Sequence, residues 1–140
     1  MTVLPDGDNL ISDFKSWNAK AIYFYDADHN IMEFISRKGL ALDSEEPFSA
    51  NSIVSIGEMG IVTTHIEVIY DALNKMRPIP IFSGDFSRFC ALGNDEGLFI
   101  VIDKNEKGWH PTQEEAFESD FIINGDYNFH FENGKIKELL

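Results

Sequence analysis

Positive charge is scarce in this chain, cysteine is nearly absent, and no long apolar run occurs. Of 140 residues only 11 are Lys or Arg, against 24 Asp or Glu, for a formal net charge of −13. Nucleic acid is a poor partner for such a chain, because no basic stripe is there to neutralise phosphate. Anionic membrane surfaces are disfavoured for the same reason. A cationic ligand is permitted, although acidity alone mostly serves solubility. The single cysteine, Cys90, leaves no intrachain disulfide. It lies in an apolar run, where a buried and inert thiol is expected, and a reducing cytoplasm fits. No apolar stretch approaches the roughly 20 residues that span a bilayer. The N-terminus lacks the basic start and apolar core of a signal peptide. What the chain does have is a globular composition, 44% hydrophobic with 12 Phe. That suffices for one domain around one core.

The stretch 21–38, AIYFYDADHNIMEFISRK, reads as two strands joined by an acidic turn. Residues 21–26 are aromatic and β-branched, which suits a pleated surface. Residues 26–30 are turn chemistry, since Asp and Asn bond their own backbone and tolerate left-handed dihedrals. Residues 31–35 resume the strand. Side chains alternate faces there, so Glu33 points with Ile31 and Ile35. A buried carboxylate needs compensation by a metal, a basic partner, a hydrogen-bond network or water. The alternative is that Glu33 sits at a strand end or edge and is solvated. The residues leave both readings open.

The remainder reads as follows. Residues 4–8 are a loop, and 10–17 are a short strand or an irregular lead-in. Residues 39–51, polar and acidic with Pro47, form a linker. Residues 52–63 form a long strand with Val54, Ile56, Glu58 and Val62 on one face. Gly57 and Gly60 within it suggest a bend or a close backbone approach. Glu58 is a second carboxylate among apolar neighbours, with the same two readings as Glu33. Residues 64–67, THIE, match a capping box. Ile66, Ile69, Tyr70, Leu73 and Met76 then follow helical spacing, and Pro78 ends the helix. Strands are predicted at 79–84, 86–92, 98–102 and 121–123, with a turn at 93–97 and a polar loop at 103–108. Tyr127, Phe129 and Phe131 alternate with polar residues, Asn133-Gly134 signals a hairpin, and 135–139 return. His29, His65, His110 and His130 show no HxH or HxxxH spacing, and each reads as a solvated or loop residue before it reads as a ligand.

An internal repeat organises these elements. Residues 25–35 lie on 92–102 without gaps, an offset of 67. Asp28 meets Asp95, Asn30 meets Gly97, and Glu33 meets Ile100. By the same offset, the strand and helix preceding the second copy would begin before Met1 in the first. The first copy thus lacks its opening strand and most of its helix. Either the chain is a shortened form of a longer one, or the gap is covered by the 127–140 hairpin or by a second chain. A homodimer is the expected cover, because an unpaired edge beside an apolar sheet invites aggregation.

IYFYDADHNIMEFI resembles the strand-turn-strand signature of the vicinal oxygen chelate superfamily, which includes glyoxalase I, bleomycin- and fosfomycin-resistance proteins and extradiol dioxygenases. Asp26, Asp28, Asn30 and Glu33 match its D-P-D-G-N, two residues, Glu pattern, while Ala27 and His29 replace Pro and Gly. The resemblance covers roughly residues 17–123. It implies an α+β fold of paired βαβββ modules forming a cupped mixed sheet, the first lacking its opening strand and most of its helix. The implied division is a partial first module at 1–38, a linker at 39–51, a second module at 52–124 and a C-terminal hairpin at 125–140.

The family's metal-dependent members take ligands from the first and last strand of each module. Carried over, that implies Glu33 and Glu58 as metal ligands, while Ile100 stands at a ligand position and cannot bind. The implied ion is divalent (Mn, Mg, Fe, Ni or Zn), or there is none. An aromatic-lined cup holding an apolar or cationic small molecule would use Tyr23, Tyr25 and Phe89. Three functions follow as expectations. The first is small-molecule binding in the cup. The second is a metal-dependent lyase or extradiol-type dioxygenase. The third is a degenerate member without a site. Binding ranks above catalysis, because only two of the ligand positions are filled.

Overall fold

The computed structural model describes residues 1–140. The fold is α+β, mostly sheet with one α-helix, and the chain divides into two compact units. One comprises Met1–Gly57 with His110–Gln113, the other Glu58–Trp109 with Glu114–Leu140. No helix is long and apolar enough to cross a membrane.

In the first unit the strands are β1 (Val3–Leu4), β2 (Ser12–Phe14), β3 (Ala19–Tyr25) and β4 (Ile31–Arg37). β1 and β2 pair successively along one edge of β3, and β4 pairs along the other, all antiparallel. The acidic turn forms as its sequence predicts. Asp26 Oδ1 accepts from the backbone N–H of Asp28 at 2.9 Å and of Asn30 at 2.8 Å, and Oδ2 accepts from the Asn30 amide at 2.9 Å. His29 takes the left-handed conformation, φ 65°. The lead-in settles as strand β2 followed by a 3-10 turn at Lys15–Trp17. Leu4, expected in a loop, instead pairs with Tyr23.

The second unit holds β5 (Glu58–Thr63), α1 (Ile66–Met76), β6 (Ile81–Gly84), β7 (Phe89–Asn94) and β8 (Gly97–Asp103). The sheet order is β5-β8-β7-β6, with β5 parallel to β8 and the other neighbours antiparallel. Strand, helix and three strands therefore follow one another around one sheet. The periodicity that predicted α1 is met: Ile66, Ile69 and Leu73 are buried against Ile61, Cys90, Leu92 and Val101. A second, antiparallel sheet of β9 (Phe121–Ile123), β10 (Phe129–Glu132) and β11 (Lys135–Glu138) adds Phe129 and Phe131 to that core. Asn133 and Gly134 both have positive φ, 50° and 72°, as a tight β-hairpin of this kind requires.

Two local expectations are corrected. The strand predicted over 52–63 begins only at Glu58. Its partner β8 starts at Gly97, and Glu58 already faces Leu98, so residues 52–56 have no ladder to join. Val54 and Ile56 are accordingly 68% and 90% exposed. The capping box does not form either. The helix N-cap is His65, without a side-chain cap bond; Thr64 Oγ1 lies 2.9 Å from His65 Nδ1, and the Thr63 hydroxyl accepts the His65 N–H at 3.0 Å.

Candidate functional site

Directly opposed residues of an antiparallel ladder share a face. Leu4, Ser12, Phe14, Ala19, Ala21, Tyr23, Glu33, Ile35 and Arg37 therefore lie on one face of the first sheet, with Tyr25 and Ile31 continuing it. Tyr23 stands opposite Glu33 and donates its hydroxyl to Glu33 Oε1 at 2.9 Å. Tyr23 is buried and Glu33 half-buried. The Tyr23 hydroxyl is thus one hydrogen-bond partner of this carboxylate. Tyr25 stacks on His29 with ring centroids 3.9 Å apart. Further along, the Arg37 guanidinium lies 5.8 Å over the Trp17 ring.

A polar cluster adjoins Tyr23. Ser12 Oγ donates to Asp6 Oδ2 at 2.8 Å and lies 3.1 Å from His110 Nε2, which is itself 3.5 Å from Asp6 Oδ2. The imidazole meets the rings of Tyr23 and Phe14 edge-on, at 5.1 Å and 5.5 Å. These are the residue types of a hydrolytic triad, but not its arrangement. In a triad the serine hydroxyl faces the imidazole and the carboxylate orients the opposite ring nitrogen. Here the serine donates to the carboxylate, and both contact the same nitrogen. Ser12 is also only 2% exposed, closed to an incoming substrate. From sequence, His110 and Asp6 read as loop residues and Ser12 as part of a short strand or lead-in, with no functional role for Ser12 or Asp6. The 98 residues between Ser12 and His110 give no local signal that they meet.

In the second unit Glu58, Gly60 and Val62 share the sheet face turned away from α1, opposite Leu98, Ile100 and Ile102. Gly60 does allow the close approach its sequence position suggested. A Cβ placed there would lie 2.6 Å from the end of the Trp109 indole. The ring therefore occupies the middle of this face, and Val62, Ile102, Phe89 and Ala116 pack beside it. Glu58 is level with Gly93 and Leu98, whereas Phe89 is level with Val62 and Ile102. Four residues of strand separate the two levels, about 13 Å. Phe89 instead lines an open depression of about 350 Å³ with Gly84, Asp85, Ser87, Arg88 and Lys107. The Lys107 ammonium lies 5.9 Å over the Phe89 ring. Burial, and then the charge of Arg88, lower its pKa.

A catalytic metal centre takes about three protein ligands and an open position. No group of three or more His, Cys, Asp or Glu side chains is placed to hold an ion. Glu33 and Glu58 on their own do not make up such a donor set, and no step is drawn through a metal. Of the five residues singled out from sequence, Tyr23, Tyr25 and Glu33 stand on one face of one sheet, with Tyr23 and Glu33 bonded. Glu58 and Phe89 belong to the second unit. No family model matches the chain, and no curated protein does.

Proposed function

We propose that this chain is a non-catalytic binding protein of the glyoxalase and bleomycin-resistance type, taking a small aromatic or cationic molecule on the sheet face that carries Glu33. It is built from one complete βαβββ module and one shortened module. Two observations support the architecture. Strand, helix and three strands occur in order around the β5-β8-β7-β6 sheet, with its first and last strands parallel. The first sheet repeats the strand-turn-strand part around an Asp26-centred turn.

The observation that carries the binding reading is the Tyr23–Glu33 pair. An oriented carboxylate flanked by tyrosine rings suits an organic cation, through charge and through the ring faces. Benzyltrimethylammonium is a suitable probe, read by tryptophan fluorescence. Saturable binding is expected, and E33Q should weaken it at least tenfold, the equivalent of about 1.4 kcal/mol. D28N removes the same charge from an exposed turn and should leave binding unchanged. Equal loss in both variants, or no saturable change in the unaltered protein, refutes the reading. The Trp109 indole on Gly60 favours a second reading, a member whose β5-β8-β7-β6 sheet face is filled and holds no ligand. On that reading W109A gains no affinity for any probe.

A further inference from the structure

The open depression beside Phe89 is lined by two of the chain's 11 basic residues, Arg88 and Lys107. We propose that it is a separate binding site, taking a small organic carboxylate whose acidic head group pairs with Arg88 and Lys107 and whose apolar body rests against Phe89. The site lies wholly within the second unit and is independent of the cation reading for the Glu33 face.

Backbone bonds hold the two cations' segments together. Arg88 immediately precedes β7, and Lys107 stands in the loop that follows β8. β7 and β8 are antiparallel, with Phe89 opposite Ile102, so the start of one lies beside the end of the other. The Asp103 N–H bonds the Arg88 C=O at 3.0 Å, and the Lys107 N–H bonds the Asp103 C=O at 3.0 Å. The turn before β7 is closed by the Asp85 N–H on the Phe89 C=O at 2.9 Å. Gly84 has φ 82°, and a Cβ there would collide with the Phe89 backbone and ring, so the wall beside the ring stays free of a side chain. These bonds fix the depression before any ligand arrives, which lowers the ordering cost of binding.

The charge of the lining selects the ligand. Asp85 is the one carboxylate among the lining residues. Its Oδ1 accepts from the Ser87 N–H at 2.8 Å and from the Ser87 hydroxyl, so it caps its own turn. Two cations and one carboxylate leave the depression a formal +1 on a chain of −13. A monoanion neutralises that charge, whereas a phosphate dianion exceeds it. Burial and then the Arg88 charge already disfavour the Lys107 ammonium, and a carboxylate beside it compensates both. The guanidinium adds a planar fork that matches carboxylate geometry. At about 350 Å³ the depression is of the size that takes small organic molecules, about 300–1,000 Å³, and exceeds what a bare head group fills.

Benzoate tests the site, with benzamide as its neutral counterpart and acetate as the head group without a body, each titrated into isotopically labelled protein. Saturable amide shifts at residues 85–89 and at Lys107 are expected with benzoate, at a millimolar Kd. Benzamide should give none there, and acetate should bind about fivefold more weakly or worse. Arg88→Gln and Lys107→Gln should each weaken benzoate by about fivefold or more. Lys104→Gln removes the same charge from the same loop, where Lys104 faces Glu118 at 3.5 Å outside the depression, and should leave the Kd within about twofold. The Lys107 side chain, followed by carbon-detected NMR, should titrate at a higher midpoint with benzoate bound, because the carboxylate favours the ammonium form; benzamide should not move it. No saturable shift with benzoate, equal binding of benzamide or acetate, or equal losses in K104Q and K107Q overturns the proposal. Should R88Q or K107Q unfold by circular dichroism, the Lys107 midpoint in the unaltered protein decides the matter, and an unmoved midpoint overturns it. A cationic probe reports only on Tyr23 and Glu33, so failure of one site is distinguishable from failure of the other.

Discussion

Replacing Gly60 by alanine puts one methyl group where the Trp109 indole now lies. The built Cβ falls 2.6, 3.1 and 3.4 Å from three carbons of the ring. Contacts below 3.0 Å are not tolerated, so the ring, its loop or β5 must move. Two terms oppose each other. Removing a glycine from a strand restricts the unfolded chain and stabilises by about 0.4–1 kcal/mol. Overpacking a filled site costs about 1–3 kcal/mol. The clash is with the end of a rigid ring system in a packed cluster with Val62, Ile102 and Ala116, so overpacking wins. Net destabilisation should be about 1–2 kcal/mol, or a melting temperature lower by about 3–8 °C for a chain of this size. The assay is guanidinium unfolding followed by far-ultraviolet circular dichroism on four proteins: unaltered, G60A, W109A and the double variant. In the W109A background the methyl has space, and G60A should become neutral or stabilising, a coupling of about 1–3 kcal/mol. If G60A is neutral beside an intact Trp109, the indole does not lie on β5, and the filled face described for the second unit is wrong.

Three further outcomes are expected. The Asp26 carboxyl, held by the Asn30 side chain and backbone and then by the Asp28 N–H, titrates below the ordinary carboxylate range. Its folded value is depressed, so its contribution is full above the unfolded value and is lost as pH falls through the folded one. Carbon-detected NMR should show the lowered midpoint, with N30A raising it. Burial pushes the Cys90 thiol up, with the charge of Asp85 adding to the effect; a disulfide reagent at pH 8 should label it only after unfolding, and labelling of the native protein would contradict its place in the core. Phe129→Ala empties a fully buried site between α1 and the second sheet and should cost about 3–5 kcal/mol by denaturant titration.

How far the sequence reaches depends on how local the determining contacts are. Period-3.6 spacing placed α1, and Asn133-Gly134 placed the β10–β11 hairpin, because both signals are contained within a few residues. The turn at 26–30 was equally legible, since Asp26 bonds its own neighbours. The start of β5 was not. Ile53, Val54 and Ile56 look like strand, but pairing needs a partner, and β8 begins too late to provide one. The capping box failed because the helix is capped one residue later, at His65, and the Thr64 hydroxyl contacts His65 Nδ1 instead. At the site, Glu33 was found by its charge on an apolar strand, and its bond to Tyr23 follows from hairpin register. Asp6, Ser12 and His110 were invisible, because no pattern within a sequence window joins residues about a hundred positions apart. The gapless repeat also hides a difference: five residues connect β3 to β4, and two connect β7 to β8.

The proposed function takes Glu33, which accepts a hydrogen bond from Tyr23, as its recognition group. Titrating benzyltrimethylammonium into isotopically labelled protein and mapping amide shifts addresses it most directly. The account predicts saturable shifts centred on Tyr23, Tyr25 and Glu33, absent in E33Q. Shifts centred instead on Phe89 and Lys107, or shifts that persist undiminished in E33Q, would contradict it.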